Sequence, residues 1–257
     1  PLSFVMNKMK PKANTPQILI GNFAGNALDD IINNRQYQIN ETIKNNFREK
    51  ALEYCTCEEL NIVDFKEKIA VQVKNIQQIV EYLFNTYDRD KAILEPSFVC
   101  EKLGLQGRVD LMTTDMRLLV EQKAGRNMYV ERKSRNKHGS FHVEKHYVQV
   151  LLYYGILAYN FHVSRKDADI HLLYSKYPLP NGLLEVQPLQ KLIHEAIKFR
   201  NLVVATEYQI AQDGFESIID HITPETLNEE RLNDFFFNKY QLPNITNTTT
   251  PLHQLSP

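Results

Sequence analysis

Gly107-Arg-Val-Asp110-Leu-Met112, then Thr113-Thr-Asp115-Met116, then Arg117-Leu-Leu-Val-Glu121-Gln-Lys123-Ala-Gly125: two apolar-alternating runs flank a short polar turn, the pattern of a β-hairpin. Side chains alternate across a strand, so Arg108, Asp110 and Met112 are expected on one face of the first run. Arg117, Leu119, Glu121 and Lys123 are expected together on one face of the second. A hairpin of this kind brings Asp110 and Glu121 side by side with Lys123 next to them. Two carboxylates at close range raise each other's pKa unless a cation sits between them. Carboxylate oxygens are the ligands that Mg²⁺ and Mn²⁺ prefer, and such an ion activates water and neutralises charge on a phosphate. Lys123 is then placed to orient the water or to offset transition-state charge. The plain alternative is a solvated hairpin face.

Working outward, residues 126–145 are polar and basic, with Arg126, Arg132, Lys133, Arg135, Lys137 and Lys145 against Glu131 and Glu144. This stretch reads as a loop or irregular ribbon that borders the cleft and tracks phosphates, with a solvated loop as the alternative. Tyr129, Tyr147 and Tyr154 offer stacking surfaces for unpaired bases. A helix is expected over 142–159, in which His142, His146, Gln149 and Tyr153 fall in one stripe. Val150, Leu151, Leu152, Ile156 and Leu157 build its packing faces. The stripe is either a wall contacting phosphates and bases or a polar rim.

Upstream, residues 1–20 read as an extended lead-in punctuated by Pro11 and Pro16. Helices are expected from Gly25, from about 40 to 55, and from about 63 to 87, the last with Ile69, Val73, Ile76, Ile79, Val80 and Leu83 inward. Asp29 and Asp30 lie in the first turns of the first of these, where the helix dipole favours acids. Residues 91–105 read as a strand broken near Pro96. Downstream, strands are expected at 169–174 and 183–186, a long helix over 189–211, and shorter helices near 215–221 and 225–239. The tail from Pro243 has the composition of a linker. Helices before and after a small cluster of strands give an α/β core.

The chain's 257 residues, 43% hydrophobic and 24% charged, are enough to bury a core. The formal net charge of −1 gives no global pull toward nucleic acid, so any such binding must come from a local patch. Three cysteines, Cys55, Cys57 and Cys100, point to a reducing, intracellular compartment: cytoplasm or nucleoid, or the nucleus in a eukaryote. No apolar run reaches the ~20 residues of a membrane span, and no signal-peptide pattern opens the chain. The absence of a starting Met is read as the mark of a processed or excised fragment.

The order Asp110, Glu121-x-Lys123, Gln149-x-x-x-Tyr153 resembles the PD-(D/E)XK nuclease superfamily in its RecB-like branch. The resemblance implies a restriction-endonuclease-like α/β core, a central mixed β-sheet flanked by helices, with an N-terminal helical region and C-terminal helices. It implies metal held by Asp110, Glu121 and the Gln122 carbonyl, with Lys123 catalytic. The branch carries a Gly-x-x-x-His metal ligand upstream. Here Gly25-Asn-Ala-Leu-Asp29 has Asp29 at that position, either an oxygen ligand or an ordinary first-turn acid. More closely, Glu95-Pro-Ser-Phe, Leu103-Gly-Leu-Gln-Gly-Arg-Val-Asp110, Val120-Glu-Gln-Lys-Ala-Gly125 and His146-Tyr-Val-Gln-Val-Leu-Leu-Tyr153, with Arg200-Asn201, resemble the nuclease domain of the DNA replication ATP-dependent helicase/nuclease family.

That resemblance implies a nuclease domain over 1–242, made of a helical part (24–88), a catalytic core (90–187) and C-terminal helices (188–242), then a tail over 243–257 leading toward a helicase. The expected activity is metal-dependent hydrolysis of single-stranded DNA at flaps or ends, with Mg²⁺ or Mn²⁺. Arg108, Arg126, His146, Gln149 and Tyr153 are the expected substrate contacts. Members often hold a four-cysteine iron–sulfur cluster with cysteines after the Gln-x-x-x-Tyr motif. This chain has none after Cys100, so no cluster is expected, and Cys55-x-Cys57 reads as buried or incidental. No phosphate-binding loop is present, so a helicase would be a separate or attached part. The alternatives are a catalytically degenerate DNA-binding module and an interaction scaffold built on the helical regions.

Overall fold

The computed structural model describes residues 14–131 and 138–214, with backbone alone for 129–131 and 138–141. The chain divides into two units, residues 13–196 and residues 1–12 with 197–257. Of the second unit, the described part is 197–214, helical as far as Asp213. The expected lead-in before residue 14, the side chain of Tyr129, residues Arg132, Lys133, Arg135 and Lys137, the helices near 215–221 and 225–239, and the tail lie outside the described residues.

The first unit opens with helices α1 (Pro16–Asn33), α2 (Ile39–Glu49), α3 (Ala51–Cys55) and α4 (Ile62–Phe84). Helix α1 begins earlier than the expected lead-in allowed. Thr15 caps it by accepting the Ile18 N–H at 3.3 Å, and Pro16 takes the first turn, where a missing N–H is not needed. The single helix expected over 40–55 is instead two, parted at Lys50. Asn61 caps α4 by accepting the Val63 and Asp64 N–H groups at 3.0 and 3.1 Å. The expected stripe from Ile69 to Leu83 is buried, and it packs with Leu19, Phe23, Ala27, Leu28 and Ile31 of α1 in one core.

Then come β1 (Ala92–Leu94), β2 (Ser97–Cys100), β3 (Leu105–Arg108), β4 (Leu111–Thr113), β5 (Leu118–Lys123), β6 (Met128–Glu131) and β7 (His138–Phe141). Helix α5 (Glu144–Phe161) leads to β8 (Asp169–Tyr174), β9 (Leu183–Glu185) and α6 (Gln190–Asp213). The main sheet runs β1-β4-β5-β8-β9. β5 and β8 are parallel, joined through α5, while the other neighbours pair antiparallel. β2 and β3 form one two-stranded ribbon and β6 and β7 another, the latter within the stretch read as a loop or irregular ribbon. The central strands are buried on both faces, as a parallel pair covered on each side requires. Leu118 and Val120 join the core of α1 and α4, and the alternate residues Leu119, Glu121 and Lys123 take the opposite face. This mixed sheet, with helices before, between and after its strands, fits a restriction-endonuclease-like core.

One correction to the hairpin matters for the site. The run from Gly107 to Met112 is two strands, not one. Gly107 and Arg108 pair with β2, and only Leu111 and Met112 pair with β5. The break is matched on the neighbouring chain at Glu95 (φ 50°) and Pro96, a residue with no N–H to give a ladder. The Glu95 N–H donates to the Asp110 carbonyl and the Val109 N–H to the Pro96 carbonyl, each at 3.1 Å. Both chains therefore bend together, and Asp110 sits at the bend, between strands. Among the described residues no helix is long and apolar enough to cross a membrane.

Candidate active site

Asp110 and Glu121 meet because the β4–β5 register pairs Leu111 with Val120, which sets the next residues outward opposite each other. The Asp110 carboxylate accepts the Gln122 N–H at 2.6 Å, so the bend is locked onto the site strand. Glu121 is only 3% exposed. Its Oε1 accepts from Lys123 Nζ at 2.7 Å and from Gln149 Nε2 at 2.8 Å. Its Oε2 is buried with no donor facing it, and the Glu121 and Asp110 carboxyl groups lie within hydrogen-bonding reach of each other, so that only a shared proton or a cation joins them. A buried carboxylate oxygen left in that state is costly unless something positive faces it.

The electrostatics follow from this packing. Burial pushes the Glu121 pKa up to about 7, the nearby Asp110 adds to the rise, and Lys123 opposes it. Asp110 is also raised, chiefly by burial, against the lowering effect of the Gln122 N–H and Lys123. Asp29, on α1, is raised to about 7 by burial and then by Glu95, Asp110 and Asp30, with Arg108 acting the other way. Asp29 is thus an electrostatic neighbour of Asp110. Among the described residues, however, no three His, Cys, Asp or Glu side chains are grouped closely enough to hold one metal ion.

Helix α5 supplies the side chains packed beside Glu121. Gln149 Nε2 reaches both Glu121 and the Tyr153 hydroxyl, at 2.8 Å each. Tyr153 lies on Gly107: a Cβ there would stand 2.5 Å from the ring's Cε1. Only glycine admits that approach. His146 does not touch the carboxylates. Its Nδ1 is 3.0 Å from the Tyr174 hydroxyl, which accepts the Val143 N–H at 3.0 Å and so has its own proton to give to Nδ1. Burial, with Lys123 and Lys145 nearby, lowers the His146 pKa to about 4. His142 does not belong to the stripe: it precedes the N-cap Val143 and stacks on Tyr147 at 4.7 Å.

Several expected contacts lie elsewhere. Arg108 is paired with Glu95 at 3.1 Å. Arg126 is exposed and lines a cavity of about 720 Å³ with Gln17 of α1 and Lys68 and Gln72 of α4, away from Glu121 and Lys123. Tyr154 is buried and donates to the Val163 carbonyl, so it offers no stacking surface. Tyr147 donates to the Gln187 carbonyl at 2.9 Å. Cys57 is buried and Cys55 exposed.

Sequence reasoning missed three parts. Glu95 was quoted without a role, yet it pairs with Arg108 and raises Asp29 and Asp110. Tyr174, the last residue of β8, holds His146. Gln72, Asn75 and Ser175 form a buried polar cluster behind β5. The one signal for it was two amides, Gln72 and Asn75, inside the apolar stripe of α4.

No protein-family model matches the chain, and no curated protein matches it. A crystal structure of a provisionally named exonuclease from Eubacterium rectale aligns with a TM-score of 0.47 at 10% identity, over 81% of this chain and 72% of that one. A likeness of that size adds nothing to the reading of the site.

Proposed function

We propose that the protein is a metal-dependent deoxyribonuclease that hydrolyses phosphodiester bonds of single-stranded DNA at flaps or ends, working with an attached or separate helicase in replication or repair. The observation that carries this is the buried Oε2 of Glu121, with no donor facing it, beside Asp110. The donor set, two carboxylates and a backbone carbonyl, is hard oxygen and fits Mg²⁺ or Mn²⁺. Asp110, Glu121 and the Gln122 carbonyl would hold the ion; Asp29 of α1 feels the Asp110 charge but is not grouped with the two carboxylates as a third side-chain ligand. When bound, the ion supplies Lewis-acid activation of water and of the phosphate.

The chain's own residues do the rest. Lys123, fixed on Glu121 at 2.7 Å, orients the attacking water and offsets charge on the phosphate. Gln149 holds Glu121 Oε1 and the Tyr153 hydroxyl together, so the carboxylate keeps one rotamer. Neutral His146, Gln149 and Tyr153 line the strand's path, while Arg108, two residues before Asp110, takes a phosphate. The decisive assay uses end-labelled single-stranded and 5′-flap DNA with Mg²⁺, Mn²⁺ or chelator. Metal-dependent cutting is expected, abolished in Glu121→Ala and Lys123→Ala with the fold intact. Unchanged cutting in either variant refutes the mechanism.

A second reading, a DNA-binding module that does not hydrolyse, is favoured by one observation: no three acidic, histidine or cysteine side chains among the described residues are grouped for one ion. It predicts binding of equal strength with and without divalent ions and no product at any metal concentration.

A further inference from the structure

The face of β5 turned away from Glu121 and Lys123 carries an ordered chain of hydrogen bonds. Gln122 Nε2 donates to the Ala24 carbonyl of α1 at 3.0 Å and to Ser175 Oγ at 3.3 Å. The Ser175 hydroxyl donates to Gln72 Oε1 of α4. Gln72 Nε2 then donates to the Ala124 carbonyl at 2.9 Å, so the chain returns to the strand it left. The Ser175 N–H holds the Lys123 carbonyl at 3.1 Å, and Asn75 Nδ2 holds the Ser175 carbonyl at 2.9 Å. Gln72, Asn75, Gln122 and Ser175 are each more than nine-tenths buried.

These polar groups sit in a layer that is otherwise apolar. On α4 their neighbours are Phe65, Ile69, Val73, Ile76 and Ile79, all core residues. Filling such a layer with aliphatics is the cheaper way to stability, whereas a fully satisfied polar network fixes a single arrangement. The arrangement fixed here is residues 122–124, tied at once to α1, α4 and β8. Gln122 is also the residue whose N–H holds Asp110. On the opposite face of the same three residues stands Lys123.

We infer that Gln72, Asn75 and Ser175 are positioning residues: from behind the sheet they set the Gln122 backbone and the Lys123 side chain for metal and phosphate. This rests on the nuclease reading of the site. Groups of this kind, one layer behind the ligands, change metal affinity or activity by ~10–100-fold when removed.

The test measures Mn²⁺ affinity by electron paramagnetic resonance, and kcat and KM on single-stranded DNA, for wild type, Ser175→Ala and Gln72→Met. Gln72→Met keeps length and volume and carries the test if Ser175→Ala does not fold. Tyr54→Phe is the control, since it removes a buried hydrogen bond (Tyr54 to Asn46, 2.8 Å) between two helical residues that make no side-chain hydrogen bond to β5. The expected result is Mn²⁺ binding weakened and kcat lowered by ~10–100-fold, with KM unchanged, in the site variants only. Folded variants with wild-type Mn²⁺ affinity and kcat overturn the inference and leave the nuclease reading standing. Equal losses in Tyr54→Phe overturn it as well. A wild type that binds Mn²⁺ without cutting still decides it through affinity. A wild type that does neither overturns the reading and the inference together.

Discussion

Replacing Glu121 with Gln should stabilise the metal-free protein while destroying its activity. Glu121 is raised from 4.5 to about 7 by burial and by Asp110. Its folded pKa lies above its unfolded one, so between those values the folded state keeps a proton that the unfolded chain has lost. Stability therefore falls as pH rises from 4.5 to about 7, and the full penalty is present above that. At about 1.4 kcal/mol per pH unit the ionised carboxylate costs roughly 3 kcal/mol. Glutamine removes the charge and still accepts from Lys123 and Gln149 through its oxygen, but it leaves the Lys123 ammonium without its counter-ion. The Lys123 attraction already holds the Glu121 pKa down to about 7, so the net gain stays at roughly 3 kcal/mol, or about 6–12 °C in Tm at pH 8 for a domain of this size.

The assay is thermal unfolding of wild type and Glu121→Gln in chelator from pH 5 to 8.5. The two curves should converge near pH 5 and part by pH 8, with the variant the more stable. Adding Mn²⁺ should then raise the wild-type Tm and leave the variant's unchanged, because only a ligand bound to the folded state shifts the midpoint. A variant less stable than wild type at pH 8, or one with the same pH slope, refutes the claim that Glu121 is a buried carboxylate awaiting a cation.

Gly107→Ala should push the Tyr153 ring aside, since the new Cβ meets Cε1 at 2.5 Å, and cleavage should fall by ~10–100-fold with the Tm little changed. Wild-type kcat in that variant would remove Tyr153 from the site. His146 should stay neutral until about pH 4 in an NMR titration of its ring carbons. Its folded pKa lies below the unfolded 6.5, so it contributes a loss of stability as pH falls from 6.5 toward 4, a slope that His146→Gln should flatten. Asn61→Ala should cost about 1 kcal/mol through the lost cap on α4, read as a lower Tm with unchanged kcat.

The parts of this protein that were legible in the sequence are those governed by short-range periodicity. Short apolar runs over 118–123 and 169–174 mark strands buried on both faces, and the 3.6-residue stripe from Ile69 to Leu83 reports one helix's contact with a single core; residue spacing records both directly. The bend at Glu95–Pro96 and Val109–Asp110 was only half visible. Pro96 announced a break in its own strand, but nothing local says that the partner strand must break opposite it. That follows from the pairing of β1 with β4 and of β2 with β3. The N-terminus of α1 was misread because Pro16 was taken as punctuation, when its position after Thr15 is that of a helix start. His142 was placed in the helical stripe by counting alone, and the chain enters α5 two residues later, at Glu144. The cluster behind β5 was illegible for a deeper reason. Gln72, Asn75 and Ser175 come from α4 and from just past β8, and only the folded sheet makes them neighbours of Gln122. A polar residue on an apolar stripe looks like a flaw in the pattern until its partner, about a hundred residues away, is known. Here it is the rear support of the strand that carries Glu121 and Lys123.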